Sequence, residues 1–391
     1  MGKSSIFIPE RPEELSSSWL SEVLSEKLGY ARVQSVRQTT LGDGEGFVGD
    51  ILRLDLTFTA NAPDCPSSVV AKMPKLANRA MGELIGAYER ENMFYMTYAS
   101  DLPVATPELY YGEFDRDRGS EKQEEIIRQA EKIPRFLQGL TNKLAWWIAS
   151  SKKRRYILLM EDVSSATPID QLEGVDSATM RKIVVDVAKL HAHFWEREDL
   201  QDQFWLLPMD IDAKMREETM HRSREAFSEI FTESVSAGLD PYLDEVSEHG
   251  VALCHQLSEG PTTLAHCDLR LDNLLFRDEE VLFIDWQLVR RGNPAYDLAY
   301  LLSSGLVGEE SALPILATYH QALERAGISD WSLESLCRDY QTALKVVLLN
   351  LSSVDQVELG EGRGKKLMAA WIDRLRVRLQ VDCPIEDQTQ H

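Results

Sequence analysis

The sequence has few cysteines, and no two of them form a C-x-x-C pair. Its 391 residues include five: Cys65, Cys254, Cys267, Cys337 and Cys383. An odd number at these spacings argues against a disulfide framework and against a zinc site. Because such a composition suits a reducing compartment, we expect a cytoplasmic protein.

Long apolar segments are lacking as well. No apolar run approaches the ~18 residues of a membrane helix, and Met1–Ile6 has too little apolar length for a signal peptide. Ile6 also stands where a myristoylation signal has Ser or Thr. We therefore expect no contact with membranes.

Positive charge is scarce in one part of the chain. The 42 Lys+Arg and 64 Asp+Glu residues give a net charge of −22. Residues 1–160 carry 21 basic and 22 acidic side chains, a net charge of −1, and residues 161–391 carry 21 and 42, a net charge of −21. The second part should repel nucleic acid and anionic surfaces. Its carboxylates either attract a cationic small molecule or serve solubility alone.

The patterning indicates two lobes of different architecture. Leu52, Leu54 and Leu56 alternate with polar residues, which is typical of a half-buried strand. The periodicity predicts further strands at 33–41, 69–73, 109–114 and 156–160, and helices at 79–99, 176–198, 212–236, 241–258, 308–326, 332–354 and 364–380. We therefore predict an α+β fold with a sheet-rich lobe (1–160) and a helical lobe (161–391). A charged helical insertion is expected near 118–152.

Gly44, Gly46 and Gly49 form a G-x-G-x-x-G pattern between two expected strands. A dinucleotide-binding loop would require a helix after this pattern, whereas an alternating strand follows it here. Two interpretations remain: an ordinary turn, or a glycine-rich hairpin that covers nucleotide phosphates as in kinases.

The kinase interpretation also needs a lysine on the third strand, and Lys72 occupies that place. Its ammonium would pair with the α- and β-phosphates and would be held by a carboxylate. The following helix offers Glu89 and Glu91, of which we favour Glu91.

The densest group of polar residues is His266–Asn273, with Asp285 on the next strand. Phosphoryl transfer to a hydroxyl needs a carboxylate that orients the attacking oxygen and accepts its proton, and it needs oxygen ligands for magnesium. Asp268 suits the first role, and Asn273 and Asp285 suit the second. Arg270 would place a cation on the transferred phosphoryl group.

These residues carry a family resemblance. His266 to Asn273 resembles the H-G-D-x-x-x-x-N motif of the aminoglycoside phosphotransferase and choline kinase superfamily, and Asp285 resembles its metal aspartate. Ile284 to Tyr300 is most similar to the ecdysteroid-kinase-like branch. The resemblance runs from the glycine pattern to about Leu302. It implies a protein-kinase-like fold, ATP, Mg2+ and a small-molecule hydroxyl acceptor.

The resemblance also implies roles for further residues. Glu161 and Val163 lie in a segment similar to the hinge whose backbone holds adenine. Asp297 resembles the buried aspartate that braces the catalytic loop (264–276), and the metal segment covers 281–297. Cys267 replaces the usual glycine, from which we expect little consequence. Gln287 replaces the glycine of protein kinases, as in the small-molecule branch.

Two rival functions are a protein kinase and an inactive kinase-like binding protein. Only 11 residues lie between Asp285 and Asp297, too few for the activation segment and peptide platform of a protein kinase. The presence of Lys72, Asp268 and Asn273 argues against an inactive protein.

The acceptor is left open between a cation of the aminoglycoside or choline type and a neutral, steroid-like alcohol. Trp195, Trp205 and Trp331 could line a cage for a cation, belong to the core or face a steroid-like apolar alcohol.

Overall fold

A computed structural model describes residues 6–41, 49–117, 119–133, 146–278, 280–353 and 362–383. It confirms the α+β expectation, with an antiparallel sheet in the N-terminal part and mostly helices in the C-terminal part. Within these ranges, no helix has both the length and the apolar composition needed to span a bilayer.

Five antiparallel strands form the N-terminal sheet in the order β1-β2-β3-β5-β4. They are β1 (Val33–Leu41), β2 (Gly49–Phe58), β3 (Ser68–Pro74), β4 (Leu109–Phe114) and β5 (Tyr156–Glu161). The three alternating leucines of β2 are buried on one face, as their period predicts. Strand β3 lies between β2 and β5, so Lys72 stands near the middle of the sheet and is paired with Leu158.

Two short helices precede the sheet and cover that apolar face. Helix α1 (Ser17–Val23) begins after Ser16, whose hydroxyl accepts a hydrogen bond from the Trp19 backbone N–H, and α2 (Ser25–Leu28) follows directly. Trp19 and Leu20 lie in one hydrophobic cluster with the buried leucines of β2. The sequence analysis did not predict these helices.

The helical region after β3 consists of α3 (Arg79–Ile85) and α4 (Ala87–Thr97). Gly86, with φ of +69°, separates them in the left-handed region that favours glycine. Glu91 and Phe94 lie on the same face of α4 because they are three residues apart. Phe94 stacks on Trp286 with ring centroids 4.0 Å apart, so this face of α4 meets the metal segment.

The insertion contains α5 (Gln123–Glu131), which lies against the C-terminal lobe. Glu124 pairs with Arg291 at 2.7 Å, and Arg128 pairs with Asp210 at 3.3 Å. Residues 146–151 are also helical, whereas residues 134–145 of the expected insertion lie outside the described residues.

Seven longer helices build most of the C-terminal lobe, and their buried residues share one large hydrophobic cluster with Phe94 of α4 and Leu158 of β5. They are α6 (Ser177–His193), α7 (Ala213–Ile230), α8 (Asp240–Ser258), α9 (Ala295–Gly305), α10 (Leu313–Arg325), α11 (Leu333–Ser352) and α12 (Arg363–Asp382). Every residue of α9 is buried, so α9 has no polar face and shows none of the amphipathic periodicity that indicates a helix. This explains why the sequence analysis did not predict it.

Short strands frame the loops of the C-terminal lobe. They are β6 (Thr167–Pro168), β7 (Thr263–Ala265), β8 (Leu274–Arg277), β9 (Glu280–Phe283) and β10 (Arg290–Gly292). Strand β7 pairs with β10, and β8 pairs with β6 and β9. The loop between β7 and β8 carries Asp268, and the loop between β9 and β10 carries Asp285, so the two pairings bring these loops together.

Candidate active site

Lys72 lies between two carboxylates from different parts of the chain. Its Nζ is 2.8 Å from Glu91 Oε1 on α4 and 2.7 Å from Asp285 Oδ1 in the metal segment. The alternative carboxylate, Glu89, points elsewhere and pairs with Arg154 at 2.6 Å. The structure therefore brings together the residues expected to handle the phosphates, with Glu91 rather than Glu89 beside Lys72.

The three groups shift one another's ionisation. Burial by itself lowers the pKa of Lys72, but the attraction of Asp285 and Glu91 outweighs it and raises that pKa. Burial raises the pKa of Glu91 to about 7 although the ammonium lies beside it. Burial also opposes ionisation of Asp285, but the ammonium of Lys72 outweighs this effect and lowers the pKa of Asp285. Lys72 and Asp285 therefore form a partly buried ion pair.

Asp268 is buried and held by three neighbours. The Tyr300 hydroxyl donates to Oδ1 at 2.9 Å, and the Asn273 amide donates to Oδ2 at 3.0 Å and to the Asp268 carbonyl oxygen at 2.8 Å. Arg270 Nε lies 3.5 Å from Oδ1. Burial raises the pKa of Asp268 against the attraction of Arg270. A fixed carboxylate with a raised pKa suits a group that accepts a proton near neutral pH.

His266 connects the catalytic loop to the metal segment. Its Nδ1 accepts from the Asp268 backbone N–H at 3.3 Å, and its Nε2 lies 3.0 Å from the Ile284 carbonyl oxygen. Since a carbonyl only accepts, Nε2 carries the proton and donates it. The imidazole therefore orients two loops.

Asp297 anchors the backbone of the catalytic loop from α9. It is fully buried and accepts from the His266 N–H at 2.7 Å, the Cys267 N–H at 2.8 Å and His191 Nε2 at 3.2 Å. Cys267 has φ of +62°, a left-handed conformation that costs a non-glycine residue roughly 1 kcal/mol. A glycine would adopt this conformation without that cost, and the hydrogen bond from the Cys267 N–H to Asp297 supports it here.

Asn273 and Asp285 supply oxygen atoms that fit a magnesium ion. Both hydrogen bonds from Asn273 to Asp268 use its side-chain amide nitrogen, so its Oδ1 takes no part in the contact with Asp268. Asp285 offers a carboxylate, and Gln287 donates to its Oδ2 at 3.2 Å. Magnesium prefers one or two carboxylate or amide oxygens together with phosphate and water. Across the described ranges, no group of three or more His, Cys, Asp or Glu side chains could hold a metal ion.

The Arg270 side chain also contacts neighbours on the far side of Asp268. Its Nη1 lies 3.3 Å from Asp272 Oδ2 and 3.5 Å from Gln171 Oε1. The guanidinium is therefore held beside the carboxylate of Asp268.

The residues expected to hold adenine lie at the end of β5 and just after it, and the last glycine of the expected hairpin lies at the start of β2. Glu161 ends β5, and its backbone N–H donates to the Glu108 carbonyl at 2.8 Å. Val163 lies two residues further on. Gly49 begins β2 next to Lys72, whereas Gly44 and Gly46 lie outside the described residues. The roles of these residues stay predictions.

The tryptophans considered for a cation cage belong to the core. Trp205 and Trp331 are buried, and Trp195 packs against Trp331 with ring centroids 5.6 Å apart. This packing assigns Trp205 and Trp331 to the core, with Trp195 partly buried against it, and these residues give no support to a cationic acceptor.

Two contacts of the site were missed by sequence reasoning. Tyr300 lies in the segment that carries the family resemblance, but no role was assigned to it. Its spacing of three residues from Asp297, which places both on one face of α9, was the available signal. No sequence pattern indicated a role for His191, on α6, because the residue it contacts, Asp297, lies 106 positions away in the chain.

The chain is similar to one protein family in sequence and to several solved structures. The sequence model of the ecdysteroid kinase-like family matches residues 43–327. No curated protein matches the chain. Among solved structures, an amicoumacin kinase in complex with AMP-PNP and Ca2+ is 12% identical, with 88% of this chain and 87% of that chain covered and a TM-score of 0.46.

Two further solved structures are similar to the chain. An ADP-bound aminoglycoside phosphotransferase is 13% identical, with 93% and 98% of the two chains covered and a TM-score of 0.43. A choline kinase from Cryptosporidium parvum is 10% identical, with 81% of each chain covered and a TM-score of 0.46.

Proposed function

The chain belongs to the ecdysteroid kinase-like family, and from this premise we propose that it transfers the γ-phosphoryl group of ATP to a hydroxyl group of a small molecule, with Mg2+ as cofactor. One observation carries the proposal. His266 links two groups of residues, because it hydrogen-bonds to both loops. One group is Lys72, Glu91 and Asp285, and the other is the pair of Asp268 and Asn273.

In this mechanism Asp268 orients the acceptor hydroxyl and takes its proton while the acceptor oxygen bonds to the γ-phosphorus and ADP leaves. Its raised pKa makes it a stronger base than an exposed aspartate. Arg270, held beside Asp268, stabilises negative charge on the transferred group. Asn273 and Asp285 would hold Mg2+, which neutralises phosphate charge when bound.

The N-terminal lobe would bind the rest of the nucleotide. Lys72 pairs with the α- and β-phosphates, and Glu91 keeps its ammonium in place. We place the boundary between the lobes at residues 160 and 161, with the backbone of Glu161 and Val163 holding adenine. The glycine pattern of residues 44–49 would cover the phosphates.

The alternative of a protein kinase has less support. The 11 residues between Asp285 and Asp297 contain a short 3-10 helix (Trp286–Leu288), β10 and the first residues of α9. This leaves no length for a peptide-docking platform. An inactive protein is disfavoured because Lys72 and Asp268 both keep their expected partners.

The test is a phosphoryl-transfer assay with Mg2+ and ATP on a panel of alcohols that includes aminoglycosides, choline and neutral sterols. Asp268→Asn should abolish acceptor phosphorylation and leave ATP binding nearly intact, because the residue acts on the acceptor oxygen. The matched control is Asp278→Asn, which removes the charge of an exposed aspartate in the turn after β8. Absence of ATP binding by the wild type, or wild-type turnover in Asp268→Asn, would contradict the proposal.

A further inference from the structure

The contact between Tyr300 and Asp268 is the feature of the site to which neither the family motif nor the mechanism assigns a task. Tyr300 lies on α9 and is buried, and its hydroxyl donates to Asp268 Oδ1 at 2.9 Å. Asn273 donates to the other carboxylate oxygen at 3.0 Å. Each oxygen of Asp268 therefore has its own hydrogen-bond donor, one from α9 and one from the catalytic loop itself.

Two donors on two oxygens determine the rotation of a carboxylate. Asn273 alone would leave Oδ1 attracted only by Arg270, whose Nε is 3.5 Å away and whose side chain also reaches Asp272. A hydrogen bond at 2.9 Å is a stronger constraint than an ion pair at 3.5 Å. Without the Tyr300 hydroxyl, the carboxylate would turn toward Arg270.

Tyr300 is held in turn by the C-terminal helix. The ring of Trp371, on α12, meets the ring of Tyr300 edge to face, with centroids 4.8 Å apart. The Trp371 indole N–H donates to Ser303 Oγ at 3.3 Å, one turn further along α9. Helix α12 begins at Arg363 and lies outside residues 43–327, which the family model matches.

We propose that Tyr300 is a positioning residue that sets the rotation of the Asp268 carboxylate, and that Trp371 of the C-terminal helix keeps Tyr300 in place. The role of Asp268 as the base rests on the proposed function. The geometry of the contact between Tyr300 and Asp268 does not depend on that function. The C-terminal helix thus contributes to the active site without touching substrate.

The test compares two tyrosines of the same helix. Tyr300→Phe removes the hydroxyl that contacts Asp268. Tyr296→Phe is the matched control, because Tyr296 is also buried on α9 and its hydroxyl accepts from Asn350 at 2.7 Å, away from Asp268. Both variants lose one buried hydroxyl, so a general loss of stability affects both alike.

The acceptor is unidentified, so the activity probe is hydrolysis of Mg-ATP, with water as the hydroxyl acceptor. Tyr300→Phe should lower kcat about 10- to 100-fold, the range expected when a hydrogen bond to a charged group is lost. Its KM for ATP should stay within about twofold of the wild-type value. Tyr296→Phe should keep both constants close to wild type. Equal kcat values in the two variants would overturn the proposal.

The contribution of α12 is tested at the aromatic contact. Trp371→Leu should lower kcat as Tyr300→Phe does, whereas Trp371→Phe should keep most of the wild-type kcat because an aromatic ring remains against Tyr300. If both substitutions lower kcat equally, the contact with Tyr300 is not the cause and this part of the proposal fails.

Crystal structures of wild type and Tyr300→Phe separate this proposal from the proposed function. We expect the Asp268 carboxylate of the variant to be rotated away from Asn273 toward Arg270. An unchanged carboxylate would overturn the positioning role even if the protein is an active kinase. A rotated carboxylate in a protein that neither binds nor hydrolyses Mg-ATP would support the positioning role and refute the kinase function.

Discussion

Substitution of Asp297 by asparagine should destabilise the protein strongly, because this buried carboxylate holds the backbone of the catalytic loop. Its oxygens accept from the N–H groups of His266 and Cys267 at 2.7 and 2.8 Å, and His191 adds a third donor at 3.2 Å. Asparagine keeps one oxygen and replaces the other by an amide group that donates. At least one backbone N–H would then face another donor.

The expected cost follows from these contacts. A hydrogen bond to a charged group contributes about 1.5–3 kcal/mol, and a buried N–H left without a partner costs about 1–3 kcal/mol. Asp297→Asn loses one such bond, weakens the second and leaves one N–H without an acceptor. Together these changes should lower the free energy of unfolding by about 3–5 kcal/mol, similar to breaking a buried ion pair. The left-handed conformation of Cys267 adds to the effect, since Asp297 supports it.

The measurement is urea unfolding followed by circular dichroism, with Asp330→Asn as control because Asp330 is exposed. The control should change the free energy of unfolding by less than about 0.5 kcal/mol. A loss smaller than about 1 kcal/mol for Asp297→Asn would refute the reasoning. In that case the loop would hold its conformation through other contacts.

Four further predictions concern the site and its surroundings. Asp285→Ala should abolish the gain in ATP affinity that Mg2+ gives the wild type, and calorimetry showing the same Mg2+-dependent gain in the variant would contradict its role as a ligand. Transfer should rise with pH through a midpoint above ~3.9, the ordinary pKa of an aspartate, because the base must be ionised and burial raises the pKa of Asp268; a rate that is flat from pH 4 to 7 would argue against it. Glu124→Gln, which removes the 2.7 Å pair with Arg291, should increase amide hydrogen exchange in α5, and unchanged exchange would show that the pair does not hold the insertion. If the carboxylates of residues 161–391 recruit a cationic acceptor, its KM should rise with ionic strength, because exposed charges are screened beyond roughly 10 Å at about 0.1 M salt; a KM unaffected by salt would favour a neutral alcohol.

Local spacing explains why much of the site was predictable. Asp268 and Asn273 lie in one loop, so five residues of sequence separation are enough to bring the amide to the carboxylate. The strand β2 was predictable for the same reason, since its alternating leucines report burial on one face. The roles of the matched residues follow from chemistry that the linear motif already contains.

Other features could not be read from local patterns. Helix α9 is buried on all sides, so its sequence has no polar face to mark it as a helix. The aromatic side chains of Trp195, Trp205 and Trp331 would suit a cation cage as well as a core, and only their packing in the structure places them with the core. The choice of Glu91 over Glu89 depends on which face of α4 meets the metal segment.

The sequence by itself determined the α+β class, the family and the identity of the residues that carry the proposed chemistry. These depend on short-range periodicity and on spacing within single loops. The tertiary structure decided which of these residues meet. Lys72 and Asp285 are 213 positions apart, and Tyr300 reaches Asp268 only because α9 packs beneath the catalytic loop. Such contacts depend on how helices and sheets pack into one core, which no local pattern encodes.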